Sequence, residues 1–322
     1  MLRLGLCCLF IQAPIRFRSA TAKFIKRLDR PAQLTRLGEL CLDNARALVA
    51  AVTEVHRLGI GAFRVSSPLL PLYTHPEVGY RLEELPNSEQ ITATLVSVKT
   101  IKEQHKLRLS FHPDQFTLLS SPRPEVTAAS LEELDYQAML AALIGADVIN
   151  IHAGGVYGDK SSALSRLLKQ ISELPEEIRS RLTLENDDHS YTVEDLVPVC
   201  DKLAIPLVYD AHHHRCNPDG LTITEATAAC LQSWRRLDRE PYMHISSPKY
   251  GWQGKPKPHA DFIDKTDFPV EWKQLEATVD VEAKAKELAV LKLQQDLALP
   301  PWHTSEPGDT GGRTGNDPKE MT

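Results

Sequence analysis

Two carboxylates suggest the chemistry open to this chain. Glu185 follows the short β-like run 181–184, and Asp210 follows the run 205–209, with His212, His213 and His214 coming directly after. Other runs end on residues of the same kind: His112, His152, His244 and Glu282. A single His or Glu at a strand end is more often a hydrogen-bonded rim residue than a ligand. Six in successive strands change that weighting, and His213 and His259 add two more imidazoles. Carboxylate oxygens together with imidazole nitrogens point to a divalent transition-metal centre.

The elements that must position these residues alternate along the chain. β-like runs are expected at 2–9, 60–65, 106–111, 148–151, 181–184, 205–209, 241–245 and 278–281. Helical periodicity fills 34–58, 88–104, 126–144, 161–171, 193–203, 222–234, 269–275 and 283–297. Strands alternating with helices imply a parallel sheet. Eight of them predict a closed (β/α)8 TIM barrel, in which strand C-termini carry the active site. A single domain over 1–298 is expected, followed by a disordered tail over 299–322 that is rich in Pro, Gly, Thr and Asp. Gly154-Gly155 alone reads as a βα turn, and no Gly-rich phosphate fingerprint or internal repeat is present.

Composition narrows the class. With 322 residues and 42% hydrophobic content the chain can bury a large core. A net charge of −6 argues against a protein that coats nucleic acid by basic excess. It leaves room for a local site made positive by bound metal. Six cysteines without CxxC spacing read as reduced thiols of a cytosolic protein. No apolar run is long enough to span a membrane; a cytoplasmic protein, nucleoid-associated if bacterial, is expected, and a monomer. A phosphodiester is anionic and resists attack. Two or three metals can deprotonate a water, shield the phosphate and stabilise the leaving oxygen. Three divalent ions set against Glu185, Asp210 and Glu282 would leave roughly three positive charges facing the substrate.

The stretches FRVSSPLLPLYTHP, LSFHPDQFTLLSSP, VINIHAGGVYG, LTLENDD, YDAHHH, HISSP, HADFID and VEAKAKE run in this order from about residue 3 to 290. They resemble the UV damage endonuclease family, which is related in fold to endonuclease IV. The resemblance implies an enzyme that incises damaged double-stranded DNA 5′ to cyclobutane dimers and (6-4) photoproducts, and acts at abasic sites, leaving a 3′-hydroxyl. It implies three divalent ions, manganese first, with zinc, magnesium or cobalt as alternatives. His112, His152 and Glu185 would hold one ion, and Glu185 would bridge to a second held by Asp210, His244 and Glu282. His213 and His259 would hold the third, with His75 close by as a ligand or phosphate contact. Glu185, Asp210, His244 and Glu282 would be the catalytic centre. Gln115 and Phe116 match the pair that the family inserts opposite the flipped lesion; read without the resemblance they are loop residues.

Two positions depart from the family's pattern. Leu6 stands where an aromatic is usual, and Tyr242, two residues before His244, stands where a lysine is usual. Two other readings compete. A metal-dependent sugar isomerase or epimerase of the same barrel type would not need Gln115-Phe116 or the His213–His259 site. A non-catalytic lesion-binding homologue would fit the two departures but not the retained ligand set. Lys249, Lys255, Lys257 and the basic stretch 16–30 are candidates for backbone contacts, Lys284 matches the family and is expected near the site, and Trp252 would either stack a base or cap the barrel.

Overall fold

A computed structural model describes residues 1–302. Eight parallel strands close into a barrel in sequence order. They are β1 (Arg3–Cys7), β2 (Ala62–Val65), β3 (Arg108–Phe111), β4 (Val148–His152), β5 (Leu182–Glu185), β6 (Leu207–Asp210), β7 (Tyr242–Ile245) and β8 (Thr278–Val281). The α-helices are α1 (Ala22–Ile25), α2 (Arg30–Arg57), α3 (Ser88–Gln104), α4 (Pro124–Ile144), α5 (Lys160–Ser172), α6 (Glu176–Arg179), α7 (Val193–Leu203), α8 (Ala211–Cys216), α9 (Ile223–Arg235) and α10 (Glu287–Asp296). The expected TIM barrel is therefore present.

Strand alternation divides each strand between two environments. Leu4, Leu6, Phe63, Leu109, Phe111, Ile149, Ile151, Leu182, Leu184, Leu207, Met243, Val279 and Val281 belong to the apolar core. Each fully buried side chain of this size contributes about 1.5–3 kcal/mol. Residues of the opposite parity are polar yet buried: Arg108, Ser110, Asn150, Thr183, Asp280 and Thr278. They line the barrel interior, where Arg108 donates to Asp147 at 2.9 Å, to the Pro241 carbonyl at 3.1 Å and to Thr278 at 3.2 Å. Gly5 shares this parity. A Cβ there would lie 2.0 Å from Asp280 Oδ1, so only glycine fits. Leu6 has the other parity and is wholly buried in the core.

The elements differ from the expected runs mainly at their ends. The strands are four or five residues long; β4, β5 and β6 take in His152, Glu185 and Asp210 as hydrogen-bonded strand positions, while His112 and Glu282 lie one residue past β3 and β8. α2 begins at Arg30, because Asp29 caps it by accepting from Ala32 N at 2.9 Å and Pro31 suits the first turn. The helix expected over 269–275 is a 3₁₀ segment, Val270–Gln274. The last helix starts at Glu287 rather than 283. Lys284 N and Ala285 N donate to the carbonyls of Ala260 and Asp261, both at 3.0 Å, which ties the preceding turn to the loop after β7. Trp302 N donates to the Gly59 carbonyl at 2.8 Å, and its ring lies 4.0 Å from the Arg3 guanidinium. The rest of the expected tail, 303–322, lies outside the described residues. Among the described residues no helix is long and apolar enough to cross a membrane. All six cysteines are free.

Candidate metal centre

Barrel register brings the strand-end residues together. His152 pairs with Glu185 across β4–β5, and Asp210 with His244 across β6–β7. Glu185 sits at the centre, fully buried. Its Oε2 lies 3.0 Å from His112 Nε2 and also accepts from the Asn150 amide, whose oxygen accepts from Thr183 at 2.8 Å. Its Oε1 lies 3.0 Å from His244 Nδ1 and 3.3 Å from His213 Nδ1. Asp210 caps α8 by accepting from His213 N at 2.8 Å, which fixes His213 one turn beyond the strand. Asn186 clamps the ends of β5 and β6, donating to the Asp210 carbonyl and accepting from Asp210 N, both at 2.9 Å.

Two groups of ligand atoms result, His112–His152–Glu185 and Glu185–Asp210–His213, each within 4.8 Å. Two of their atoms, His152 Nδ1 and Asp210 Oδ2, are buried without a hydrogen-bond partner. Unpartnered buried polar atoms are costly, and a cation would satisfy both. His112 Nδ1 lies 3.0 Å from the Pro113 carbonyl; a proton donated there fixes the ring, and Nε2, now bonded to Glu185, becomes a lone-pair nitrogen only when a metal displaces its proton. The imidazole and carboxylate donors fit divalent metal ions.

Other expected ligands lie at varied distances from these groups. His244 Nδ1 is 3.5 Å from Glu282 Oε1, and His259 Nδ1 is 3.7 Å from Glu282 Oε2. The His213 and His259 rings are 6.5 Å apart, and His213 also lies within reach of Glu185 and Asp210. His75 enters neither group. Its Nδ1 accepts from Glu77 N at 3.1 Å and Val78 N at 3.3 Å, closing the turn after β2. Phe116 is 70% exposed at the tip of the loop after β3. Asp114 holds that tip as a turn by accepting from Phe116 N at 2.8 Å, leaving the neighbouring Gln115 exposed as well.

Sequence reasoning missed two charged residues beside the ligand groups, as it missed Arg108 deeper in the barrel. Arg64 donates to Glu282 at 2.6 Å and lies 3.7 Å from Asp280. Both Asp280 oxygens are buried without a hydrogen-bond partner, and Oδ2 lies 3.9 Å from His244 Nε2. The signal was strand parity: Arg64 sits two residues from Ala62, and Asp280 two from Glu282. Tyr242 is buried in the same layer. Its hydroxyl is 2.7 Å from Ser110 Oγ, and Arg108 lies 4.9 Å from its ring. Trp252 donates to Asp267 at 2.8 Å and packs 5.2 Å from the His212 ring, so it caps the barrel mouth. Three of the six basic residues in the stretch are paired within the fold, Arg18 to Asp43, Lys26 to Glu77 and Arg30 to Glu84.

The electrostatics follow from burial and proximity. Burial alone would raise the Glu185 carboxyl, yet His244, His152 and the bonds to His112 and His213 hold it well below the carboxylate range. Burial likewise opposes ionisation of Glu282, while Arg64 and His244 lower it. Burial would lower His244, but Glu185 and Glu282 push it up to about 9. His213 is raised too, against burial, by Asp210 and Glu185. His152 is lowered, chiefly by burial. Without metal, protons on His244 and His213 balance the central carboxylates. A metal must displace them.

Comparison with known proteins identifies the relatives. The family model described as UV-endonuclease UvdE matches residues 2–301. The UV DNA damage endonuclease of Bacillus velezensis is 34% identical over 300 residues, covering 90% of this chain and 91% of that protein. That of Bacillus thuringiensis subsp. konkukian is 36% identical over 247 residues, covering 74% and 76%. Among solved structures, SacUVDE superposes with a TM-score of 0.81 at 26% identity, covering 92% of this chain and 98% of that one. Endonuclease IV from Thermus thermophilus (TM-score 0.58, 17% identity) shares the fold over 92% of this chain and 97% of its own. A family match across nearly the whole described chain, supported by these relatives, shows that the protein belongs to the UV-endonuclease UvdE family.

Proposed function

We propose that this protein is a metal-dependent DNA repair endonuclease that nicks the phosphodiester 5′ to cyclobutane dimers, (6-4) photoproducts and abasic sites, leaving a 3′-hydroxyl. The observation that carries the reading is Glu185, a fully buried carboxylate shared by two groups of metal-ligand atoms at the C-terminal mouth of the barrel. His112, His152 and Glu185 would hold one divalent ion. Glu185, Asp210 and His213 would contribute to a second, with His244, Glu282 and His259 completing a set for three ions, manganese first. His75, whose Nδ1 closes a turn, is kept as a phosphate contact beside this set. When bound, such ions supply a nucleophile at neutral pH, shield the phosphate and stabilise the leaving oxygen.

The chain's own residues do the rest. Asn150 and His112 hold Glu185 on one side and His244 and His213 on the other, so the carboxylate is oriented before substrate arrives. Arg64 keeps Glu282 ionised and opposes the burial that pushes the neighbouring Asp280 carboxyl up. Gln115 and Phe116 stand on a closed turn at the rim, where an exposed ring can enter an opened base step. A damaged step stacks poorly and opens at lower cost, which favours lesions over intact duplex. Net charge of −6 is consistent with this, since metals would supply the local attraction for phosphate.

The test uses a 5′-labelled duplex with one cyclobutane dimer, incubated with the protein and Mn²⁺. A nick immediately 5′ to the dimer, abolished by EDTA, is the expected outcome. Binding without a nick would sink the endonuclease reading and favour a lesion-binding role.

A further inference from the structure

The loop after β4, residues 153–159, carries a feature unused by the function above. Its backbone enters the left-handed region three times, at Gly154 (φ 90), Tyr157 (φ 50) and Gly158 (φ 82). Glycine adopts this conformation freely. A bulky aromatic does not, and such strain persists where the surroundings impose it, commonly at functional sites. The Tyr157 ring lies over Gly155, with three ring carbons 3.4–3.7 Å from where a Cβ would stand. The side chain is nevertheless 40% exposed. A tyrosine kept for core packing would be buried, and a turn kept for its shape alone would be better served by a third glycine.

The loop is also braced to the one that carries Gln115 and Phe116. Ser120 Oγ donates to the Ala153 carbonyl at 2.6 Å. A Cβ on Gly154 would lie 2.6 Å from that same Oγ and 3.1 Å from Leu118, so the close approach of the loops requires glycine. Arg166 Nε donates to the Ser120 carbonyl at 2.8 Å, and its guanidinium lies 5.8 Å from the Tyr157 ring. One arginine therefore supports both loops. The Gly155 carbonyl accepts from Tyr191 at 3.2 Å, fixing the turn under the ring. His152, a member of one ligand group, is the strand residue immediately before this loop.

We propose that Tyr157 is a second aromatic contact for DNA, stacking on a nucleotide next to the step engaged by Gln115 and Phe116. The inference rests on the endonuclease reading and deepens it. Braced loops from neighbouring strands hold one exposed ring each at the same mouth of the barrel. Two rigidly related rings would grip the strand on either side of an opened step, and stacking of this kind tolerates any base.

The experiment measures incision of a duplex carrying one tetrahydrofuran abasic analogue, with Mn²⁺-loaded protein and its Tyr157→Gly and Tyr157→Phe variants. Glycine suits the backbone at 157, so Tyr157→Gly is expected to fold with little loss of Tm. It should raise KM about fivefold or more, the equivalent of one lost base–aromatic stack, with kcat within about twofold. Tyr157→Phe should behave as the parent. A KM for Tyr157→Gly within about twofold of the parent, or a fall in kcat alone, overturns the proposal. If the parent makes no nick, the endonuclease reading fails by itself. Anisotropy with the same labelled duplex then decides Tyr157, on the same fivefold criterion for Kd.

Discussion

Glu185→Gln changes one oxygen to an NH2 and leaves the volume unchanged. Glu185 Oε2 faces His112 and the Asn150 amide, and Oε1 faces His244 and His213. Whichever way the new amide turns, its NH2 meets two nitrogens on one side. Asn150 cannot turn to compensate without losing the bond from Thr183 at 2.8 Å. Two charge-assisted bonds at about 1.5–3 kcal/mol each are at risk. His244, raised to about 9 chiefly against burial by Glu185, would give up its proton and recover part of that. The expected loss in the metal-free protein is therefore about 3–5 kcal/mol, a fall in Tm of roughly 6–15 °C. The effect on function should be larger. Loss of a group that merely orients a ligand costs about 10–100-fold, so removing the carboxylate shared by both groups should cut incision more than about 100-fold and weaken Mn²⁺ binding. Incision on dimer DNA, Mn²⁺ titration and calorimetry measure the three quantities. Activity within about tenfold of the parent with unchanged Mn²⁺ affinity would refute the role given to Glu185.

Gln115→Ala with Phe116→Ala should weaken binding to a dimer duplex by about 1–3 kcal/mol, and more than it slows incision at an abasic site; equal losses on both substrates in a gel-shift and nicking comparison would mean the pair only supports its loop. Tyr242→Lys places a cation beside Asp280, whose carboxylate has no hydrogen-bond partner, but also beside Arg108 and in the space of a buried ring. A faster enzyme of similar Tm would show that the position tunes the site, whereas a slower one, destabilised by several kcal/mol, would show that Tyr242 belongs to the packing. Metal-free stability should depend on pH. His244 is raised from 6.5 to about 9, so its stabilisation is complete below about 6.5 and lost as pH rises towards 9. Glu185 and Glu282 are lowered from 4.5, so theirs is present above that value and lost in acid. His152, lowered by burial, loses stability as pH falls below about 6.5, so calorimetry in EDTA should find the highest Tm near pH 6.5; a Tm that climbs from 6.5 to 9 would contradict the assignment.

Much of the fold was legible in the sequence because its signals are local. Each strand is a short run bounded by turn residues, and each long helix repeats apolar residues on one face, although the cap at Asp29 that starts α2 four residues early went unread. A count of eight alternating units is enough to imply closure. The chemical type of each strand-end residue could also be read directly, since alternation assigns a residue to a face without any long-range information. Hence His112, His152, Glu185 and Asp210 were nameable before the barrel was known to bring them within reach.

What tertiary structure alone decided was which of these atoms meet, and what lies between them. His213 joins Glu185 and Asp210 because Asp210 caps a helix one and a half turns long, a geometry set by the exit angle of β6. His259 faces Glu282 because its loop is tied to the turn before α10. His75 enters neither ligand group, and its own turn takes its Nδ1. Arg64 and Asp280 looked like ordinary strand residues, and only closure put them inside with Glu282 and His244. Side-chain type and strand parity are properties of a few neighbouring residues and survive in one dimension. Distances across the barrel depend on the register of all eight strands at once, and no local stretch of sequence carries that register.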